Sequence, residues 1–231
     1  MLAAPEGGVL LHTPLLPAST NRLLRTGKLT LNANGNLNGE IQELSWGGPA
    51  GTKRAEFMEV APAERSKVLD DFLGQFLNSF TVTQASVSNL DHYDESLMLK
   101  YKFVADGYAK TAGGLLILRP RIVGEKSSSI LSGKPRKYPI EFQEATRQDD
   151  IFDFELPQGY VVDELPKPFK VECPYGTYQS QTEISGNVLH YHRTYEIKDI
   201  FVPVEKLPEV RDFLGHIAAE EQSTAVLRKA N

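Results

Sequence analysis

Short runs in which apolar and polar residues alternate, separated by turn-forming residues, fill most of this 231-residue chain. Leu29 and Leu31 alternate with polar neighbours, and so do Phe152 and Phe154 further along. A period of two places side chains on opposite faces of a strand, whereas an amphipathic helix has a period near 3.6. The strands do not alternate regularly with helices, which argues against a parallel doubly wound sheet. The pattern predicts an α+β protein that is mainly β, with antiparallel, β-sandwich-like sheets and two packed helices.

The two segments with a helical period contain nearly the same fragment. Asp71-Phe72-Leu73-Gly74-Gln75-Phe76 lies in the first segment, over residues 63–78, and Asp212-Phe213-Leu214-Gly215-His216-Ile217 lies in the second. Each segment follows a β-hairpin pattern and an arginine, which suggests two copies of one scaffold unit. We therefore predict an extended lead-in over residues 1–20, a first β-hairpin, helix and β unit over residues 21–110, and a C-terminal β-rich domain closed by a helix over residues 111–231.

Short sequence motifs within these units predict a turn, a break in the strand pattern, a loop and a final strand. Asn34-Gly35 predicts a two-residue type I′ hairpin turn, in which both residues need a positive φ. Residues 47–51, with three glycines and a proline, break the strand pattern. Residues 124–137 form the best candidate loop, and residues 224–227 could add a final edge strand.

Composition excludes several classes of protein. A net charge of −5 and a pI near 5.6 argue against nucleic acid as the main partner, because phosphate contacts need clustered Lys and Arg. With a single cysteine, neither an internal disulfide nor a Cys-rich zinc site is expected. We see no run of 18 apolar residues and no phosphate-binding loop, so we predict neither a membrane span nor a cofactor. The N-terminus does not resemble a signal peptide, which leaves either a cytosolic chain or a start inside a longer polypeptide.

The nucleophile and metal candidates have weak support. Cys173 shares its strand face with Phe169 and Val171, which predicts a buried and inert thiol rather than a catalytic one. His190 and His192 share a strand face and could bind a metal if a carboxylate joined them, although solvated positions are the commoner explanation. We therefore predict no catalytic and no metal-binding residue in this chain.

Two arginines are candidates for buried structural charges. Arg193 has the strand parity of Leu189, Tyr191 and Tyr195, so its guanidinium should enter the core. A buried guanidinium needs an acidic partner, and we expect one such as Asp212. Arg54 is expected to play the same part in the first unit.

Three aromatic residues near glycine-rich turns could form a binding surface. Trp46, Tyr175 and Tyr178 could stack on sugar rings or fill pockets of a partner. The simpler interpretation is that these rings cover the edge of their own core. No pair of carboxylates can be assigned to glycosidic acid–base catalysis from spacing alone.

Several motifs in the last third of the chain are similar to a known family. They are Leu156-Pro157-Gln158-Gly159-Tyr160, Glu164-Leu165-Pro166, Tyr175-Gly176-Thr177-Tyr178, Tyr191-His192-Arg193-Thr194-Tyr195 and the closing segment from Val204 to Phe213. Together they resemble the C-terminal domain of unknown function of bacterial transglutaminase-like proteins, and residues 20–110 resemble the segment that precedes it. No position matches the Cys-His-Asp set of that family's papain-like core. The resemblance implies an exported, periplasmic or secreted protein whose enzyme core lies upstream.

The sequence therefore favours a non-catalytic accessory or interaction region of an exported transglutaminase-like protein. Its expected partners are the upstream core in cis and another protein or a glycan. Two alternatives remain open: a carbohydrate-binding β-sandwich module, and a hydrolase with an unrecognised carboxylate site.

Overall fold

The structure, a computed structural model, describes residues 2–4, 7–9, 14–126 and 137–230. Most of the predicted loop over residues 124–137 lies outside this range. Three α-helices are present in the described residues: α1 (Gly48–Met58), α2 (Arg65–Leu73) and α3 (Leu207–Glu220). Short 3₁₀ turns over Pro62–Glu64 and Val204–Lys206 lead into α2 and α3.

The described strands, in chain order, are β1 (Leu2–Ala4), β2 (Gly7–Val9), β3 (Arg22–Leu31), β4 (Leu37–Ser45), β5 (Phe80–Ser88), β6 (Leu97–Ala105), β7 (Lys110–Ala112), β8 (Leu115–Leu118), β9 (Ile140–Glu141), β10 (Thr146–Glu155), β11 (Tyr160–Glu164), β12 (Phe169–Cys173), β13 (Gly176–Ser185), β14 (Val188–Ile197), β15 (Phe201–Val202) and β16 (Ala225–Lys229). Eight form one sheet in the order β12-β13-β14-β10-β3-β4-β6-β5. Four form a second sheet in the order β11-β16-β8-β7, and β1-β2 and β15-β9 form separate pairs.

This topology confirms a mainly β protein with antiparallel sheets. Among the described neighbours in the large sheet, β3 and β10 run parallel and the other pairs run antiparallel. The large sheet takes strands from both predicted units, and the suggested boundary between residues 110 and 111 lies inside β7. The predicted final strand is present, but β16 lies between β11 and β8 and is not an edge.

Two apolar clusters hold these layers together. The first joins the inner face of the large sheet to the smaller sheet and to α1 and α2, through residues such as Phe103, Phe152, Leu73 and Leu116. The second packs α3 against β13 and β14, through residues such as Phe213, Leu214 and Tyr178. Two sheets that share one apolar layer, with helices at the ends, give the sandwich-like arrangement that the alternation predicts.

Two local predictions are wrong. Helix α1 begins at Gly48, inside the glycine-rich segment that we read as a break, with Pro49 in its first turn, where a missing N–H costs little. The Asn34-Gly35 hairpin does not have a two-residue turn, because the N–H of Asn32 donates to the carbonyl of Asn36 at 2.9 Å and only Gly35 of the turn has a positive φ, 88°. The loop therefore has three residues, with glycine at the left-handed position.

Candidate functional site

A row of four charged side chains crosses the inner face of the large sheet. Arg193 on β14, Asp150 on β10, Arg25 on β3 and Glu43 on β4 are paired across neighbouring strands at one level. We call these four residues the charged row. Each is at most 5% exposed, so the row lies inside the protein.

The members of the charged row neutralise one another. Arg25 donates from Nε to Glu43 Oε1 at 3.1 Å and from Nη1 to Asp150 Oδ1 at 3.2 Å. Arg193 donates to the other oxygen of Asp150 and, from Nη1, to Glu221 Oε1 at 2.6 Å. Because buried charges are tolerated when they are paired and hydrogen-bonded, this network satisfies the condition that the sequence imposes on Arg193.

The acids of the network differ in how strongly they are held ionised. Burial alone would raise the pKa of Asp150, but the guanidinium groups of Arg193 and Arg25 outweigh it and hold that pKa below its ordinary value. Burial raises the pKa of Glu221, and the attraction of Arg193 offsets this only in part. The difference follows from geometry, since Asp150 contacts two guanidinium groups and Glu221 contacts one.

A short segment of main chain closes over the charged row. A Cβ built on Gly124 would lie 2.6 Å from Nη1 of Arg25 and 2.9 Å from Nη2 of Arg193, and Gly124 has a φ of 78°. Only glycine fits this backbone conformation at such a close approach without strain. The next residues strengthen the closure, because the backbone N–H of Lys126 donates to Glu221 Oε2 at 2.8 Å.

The sequence located both buried arginines but not the partners. Arg193 is 1% exposed as expected, but it pairs with Asp150 and Glu221, and the expected partner Asp212 is exposed. Arg54 is 4% exposed, and its described partners are main-chain oxygens: Nη2 donates to the carbonyls of His92 at 2.7 Å and Glu95 at 2.8 Å. The guanidinium of Arg54 also donates to the carbonyl of Asn89, so it fastens the loop between β5 and β6 to α1.

The aromatic candidates lie apart from one another and are mostly covered. Tyr178 is 0% exposed and donates its hydroxyl to Glu220 of α3, and Tyr175 is 9% exposed. These two rings cover their own core and cannot form an exposed platform for a sugar. Trp46 is half-buried, with the guanidinium carbon of Arg22 5.7 Å from its ring centroid.

The nucleophile and metal candidates lie on β12 and β14 of the large sheet, and Cys173 is less deeply buried than its strand parity predicts. Cys173 is half-buried and packs against the second apolar cluster, on the face that it shares with Phe169 and Val171. His190 and His192 are exposed, and His190 Nδ1 lies 2.6 Å from Asp153 Oδ1. In the described ranges, no group of three or more His, Cys, Asp or Glu side chains is arranged to hold a metal ion. No helix there is long and apolar enough to cross a bilayer.

The opposite face of the large sheet carries an open groove of about 650 Å³. One row of charges crosses it, and neighbouring strands bring His190, Asp153, Lys28, Glu40 and Lys102 side by side. We call this feature the outer-face groove. Its side chains remain accessible: Asp153 and His190 are each 45% exposed, and Lys102 and Glu40 are 47% and 58% exposed at an N–O separation of 3.5 Å.

Comparison with known proteins gives one structural likeness and one family match. No curated protein matches the chain. A crystal structure described as a "putative protease" from Parabacteroides distasonis ATCC 8503 aligns with a TM-score of 0.43 and 15% identity, over 52% of this chain and 24% of that one. Residues 114–227 match a family model described as a domain of unknown function with a solved structure (DUF3858). The stretch from β8 into β16 is therefore similar to this domain of unknown function. The match confirms the predicted resemblance of the last part of the chain to a domain of unknown function.

Proposed function

We propose that this chain is a non-catalytic accessory region of an exported, transglutaminase-like protein, and that it binds the enzyme core of the same polypeptide through the outer-face groove. The observation that carries the non-catalytic part of the proposal is the pairing inside the charged row. Its guanidinium and carboxylate groups are bound to one another and shielded from water, so they serve folding rather than turnover. The upstream enzyme core and the export are what the motifs that resemble the C-terminal region of such proteins imply.

The groove has the character of a contact between domains. Interfaces between domains of one chain are more polar than obligate interfaces and resemble transient complexes. Acids and bases alternate along the row from Asp153 through Lys28 and Glu40 to Lys102, so a partner with the complementary order of charges would be held in one register.

The first experiment measures binding of the purified chain to the transglutaminase-like core of its own polypeptide, added as a separate protein. We expect saturable binding that weakens as salt is raised, because exposed charges are screened. The double variant Lys28→Glu, Lys102→Glu should weaken binding at least tenfold, whereas Lys167→Glu, outside the groove, should leave it unchanged. If the core binds equally to all three proteins, the groove is not the contact surface.

A second experiment tests the absence of catalysis. The isolated chain is incubated with a fluorescent amine and casein, and separately with quenched peptide substrates. We expect no amine incorporation and no cleavage above the buffer rate. Turnover that disappears in the Cys173→Ser variant would refute the non-catalytic proposal.

A hydrolase with a carboxylate site is a second candidate, because three acids line the outer-face groove. They are Glu40, Asp153 and Glu155, and Asp153 contacts His190. Paired carboxylates are the usual acid and base of glycoside hydrolysis. Release of nitrophenol from aryl glycosides, lost in both Asp153→Asn and Glu155→Gln variants, would favour this function over the accessory one.

A further inference from the structure

A separate cavity lies where the end of α2, the turn between β6 and β7 and the chain after β8 meet. It has a volume of about 390 Å³, within the range of small-ligand pockets. Apolar side chains form part of its wall, including Phe76, Leu77 and Ile122. It contains no member of the charged row or of the outer-face groove, so it is independent of the function proposed above.

Arg121 brings an incompletely paired charge to this cavity. The residue is 7% exposed, and its Nη2 lies 3.3 Å from Glu125 Oε2. Its Nε and Nη1 are buried and have no hydrogen-bond partner among the described residues. A buried donor without a partner is unfavourable, and more so when it is charged. Arg121 therefore differs from Arg193, whose two terminal nitrogens both contact acids.

Two more cations reach the same cavity. Lys110 and Arg119 line it and are exposed, and neither forms a salt bridge within the part of the chain that the structure describes. The backbone at Arg119 is held in place, because the hydroxyl of Tyr108 donates to its carbonyl. The lining includes one acid, Asp106, which accepts a hydrogen bond from Asn36 Nδ2 at 2.8 Å. Together with Glu125, which contacts Arg121, two acids face three cations, so the cavity keeps a net positive charge.

We propose that this cavity binds the oxyanion of a small organic ligand, a carboxylate or a phosphate with an apolar body. The oxyanion would contact Lys110 and Arg119 at the mouth, and the charge of Arg121 would attract it from the wall of the cavity. The apolar body would lie against Phe76, Leu77 and Ile122. Charge-assisted hydrogen bonds of this kind are stronger than neutral ones, and guanidinium groups suit both kinds of oxyanion.

The test titrates the chain by calorimetry with two probes, N-acetyl-leucine and phenyl phosphate. Binding of the first alone identifies a carboxylate site, binding of the second alone a phosphate site, and binding of both a general oxyanion site. The double variant Lys110→Ala, Arg119→Ala changes exposed side chains, and we expect it to bind at least tenfold more weakly. Lys167→Ala, an exposed lysine elsewhere, is the matched control and should bind as the parent does.

Arg121→Met separates a ligand-binding arginine from a structural one. We expect this variant to bind both probes at least tenfold more weakly, while the melting temperature of the ligand-free protein stays within about 3 °C of the parent, since only one long contact is lost. A fall as large as that of Arg193→Ala would show a structural role and overturn the proposal. So would the absence of binding by both probes, or binding that the Lys110 and Arg119 changes leave intact.

Discussion

Arg193 has the largest side chain among the fully buried residues that the structure describes. Replacing it with alanine would leave the carboxylates of Asp150 and Glu221 without this partner in the interior. Breaking a buried ion pair by removing one partner costs about 3–5 kcal/mol, because the remaining charge is uncompensated. We expect Arg193→Ala to lower the free energy of unfolding by that amount, measured by urea denaturation.

The control for this prediction is Lys170→Ala. Lys170 and Glu172 form an ion pair at 3.3 Å in which both side chains are 63% exposed. Such pairs contribute about 0–1 kcal/mol, so this variant should remain close to the parent. An Arg193→Ala protein as stable as Lys170→Ala would contradict the structural account of the charged row.

Gly124 is a second position at which a single substitution is expected to lower the stability of the protein. Gly124→Ala would force a non-glycine residue to a φ of 78° and place its Cβ against two guanidinium groups. Gly113→Ala has a similar strain, at a φ of 57°, but its Cβ would meet nothing within 4 Å. Strain of this kind costs about 1–3 kcal/mol. Thermal denaturation should therefore show a clearly larger loss of stability for Gly124→Ala than for Gly113→Ala, and equal losses would argue against the close approach.

The residues of the charged row could partly have been predicted from strand parity. The rule that placed Arg193 in the core also applies to Arg25, which has the parity of Leu29, and to Asp150, which has the parity of Phe152. The alternation that the sequence analysis uses begins at Leu29 in β3 and at Phe152 in β10, so Arg25 and Asp150 lie before it. Glu221 had no such signal, since it follows the end of α3 and reaches Arg193 only through tertiary packing.

At the scale of elements, helix α1 depends on Arg54 for its attachment to the loop between β5 and β6. Arg54→Met keeps an apolar stem but removes the donors to the carbonyls of Asn89, His92 and Glu95. Hydrogen bonds to charged groups contribute about 1.5–3 kcal/mol, so we expect a loss of roughly 2 kcal/mol. Hydrogen exchange should quicken in residues 89–96 before it does so elsewhere.

Glu56→Ala is the matched change on the same helix, because the ion pair that the described residues give Glu56 is with Lys53, at 3.3 Å, and the Glu56 side chain is 46% exposed. It should alter stability by less than about 0.5 kcal/mol and leave exchange in residues 89–96 as in the parent. If Arg54→Met also leaves that exchange unchanged, the arginine does not hold the loop.

The elements differ in how well the sequence defines them. Strand β6 buries alternate residues as its pattern requires, and β10 and β14 do so except at Asp149 and Thr194, which are also buried. Helix α3 buries Val210, Phe213, Leu214 and Ile217 at helical spacing. Helix α1 escaped notice because it begins with glycine and proline and buries only Ala50, Arg54 and Phe57. An arginine in a buried stripe makes the apolar period hard to see.

At the scale of the whole molecule, the charged row lies between two apolar clusters and joins strands from the first part of the chain to strands from the last part. The mainly β class followed from local alternation. The parallel contact of β3 with β10 did not, because partners more than a hundred residues apart are chosen by burial and not by local pattern. The similar fragments of α2 and α3 also differ in setting: Leu73 ends α2, whereas Phe213 and Leu214 lie inside α3.

The network also predicts how stability changes with pH. Burial lowers the pKa of Lys126 to about 7, and the positive charges of Arg193 and Arg25 act in the same direction against the weaker attraction of Asp150 and Glu221. In the unfolded chain this pKa returns to its ordinary value near 10.5. Between these two values the unfolded state binds more protons than the folded state, so stability rises with pH.

We therefore expect the free energy of unfolding to increase by roughly 1 kcal/mol between pH 7 and pH 9, less than the full shift implies because the Lys126 side chain is only half-buried. Urea denaturation at pH 7, 8 and 9 measures the change. The variant Lys126→Met should lose this rise, and Lys229→Met, which changes an exposed lysine at the end of β16, should keep it. Burial raises the pKa of Tyr195, which faces Lys126, so this tyrosine does not titrate in the window. Parallel curves for all three proteins would mean that Lys126 stays charged in the folded state.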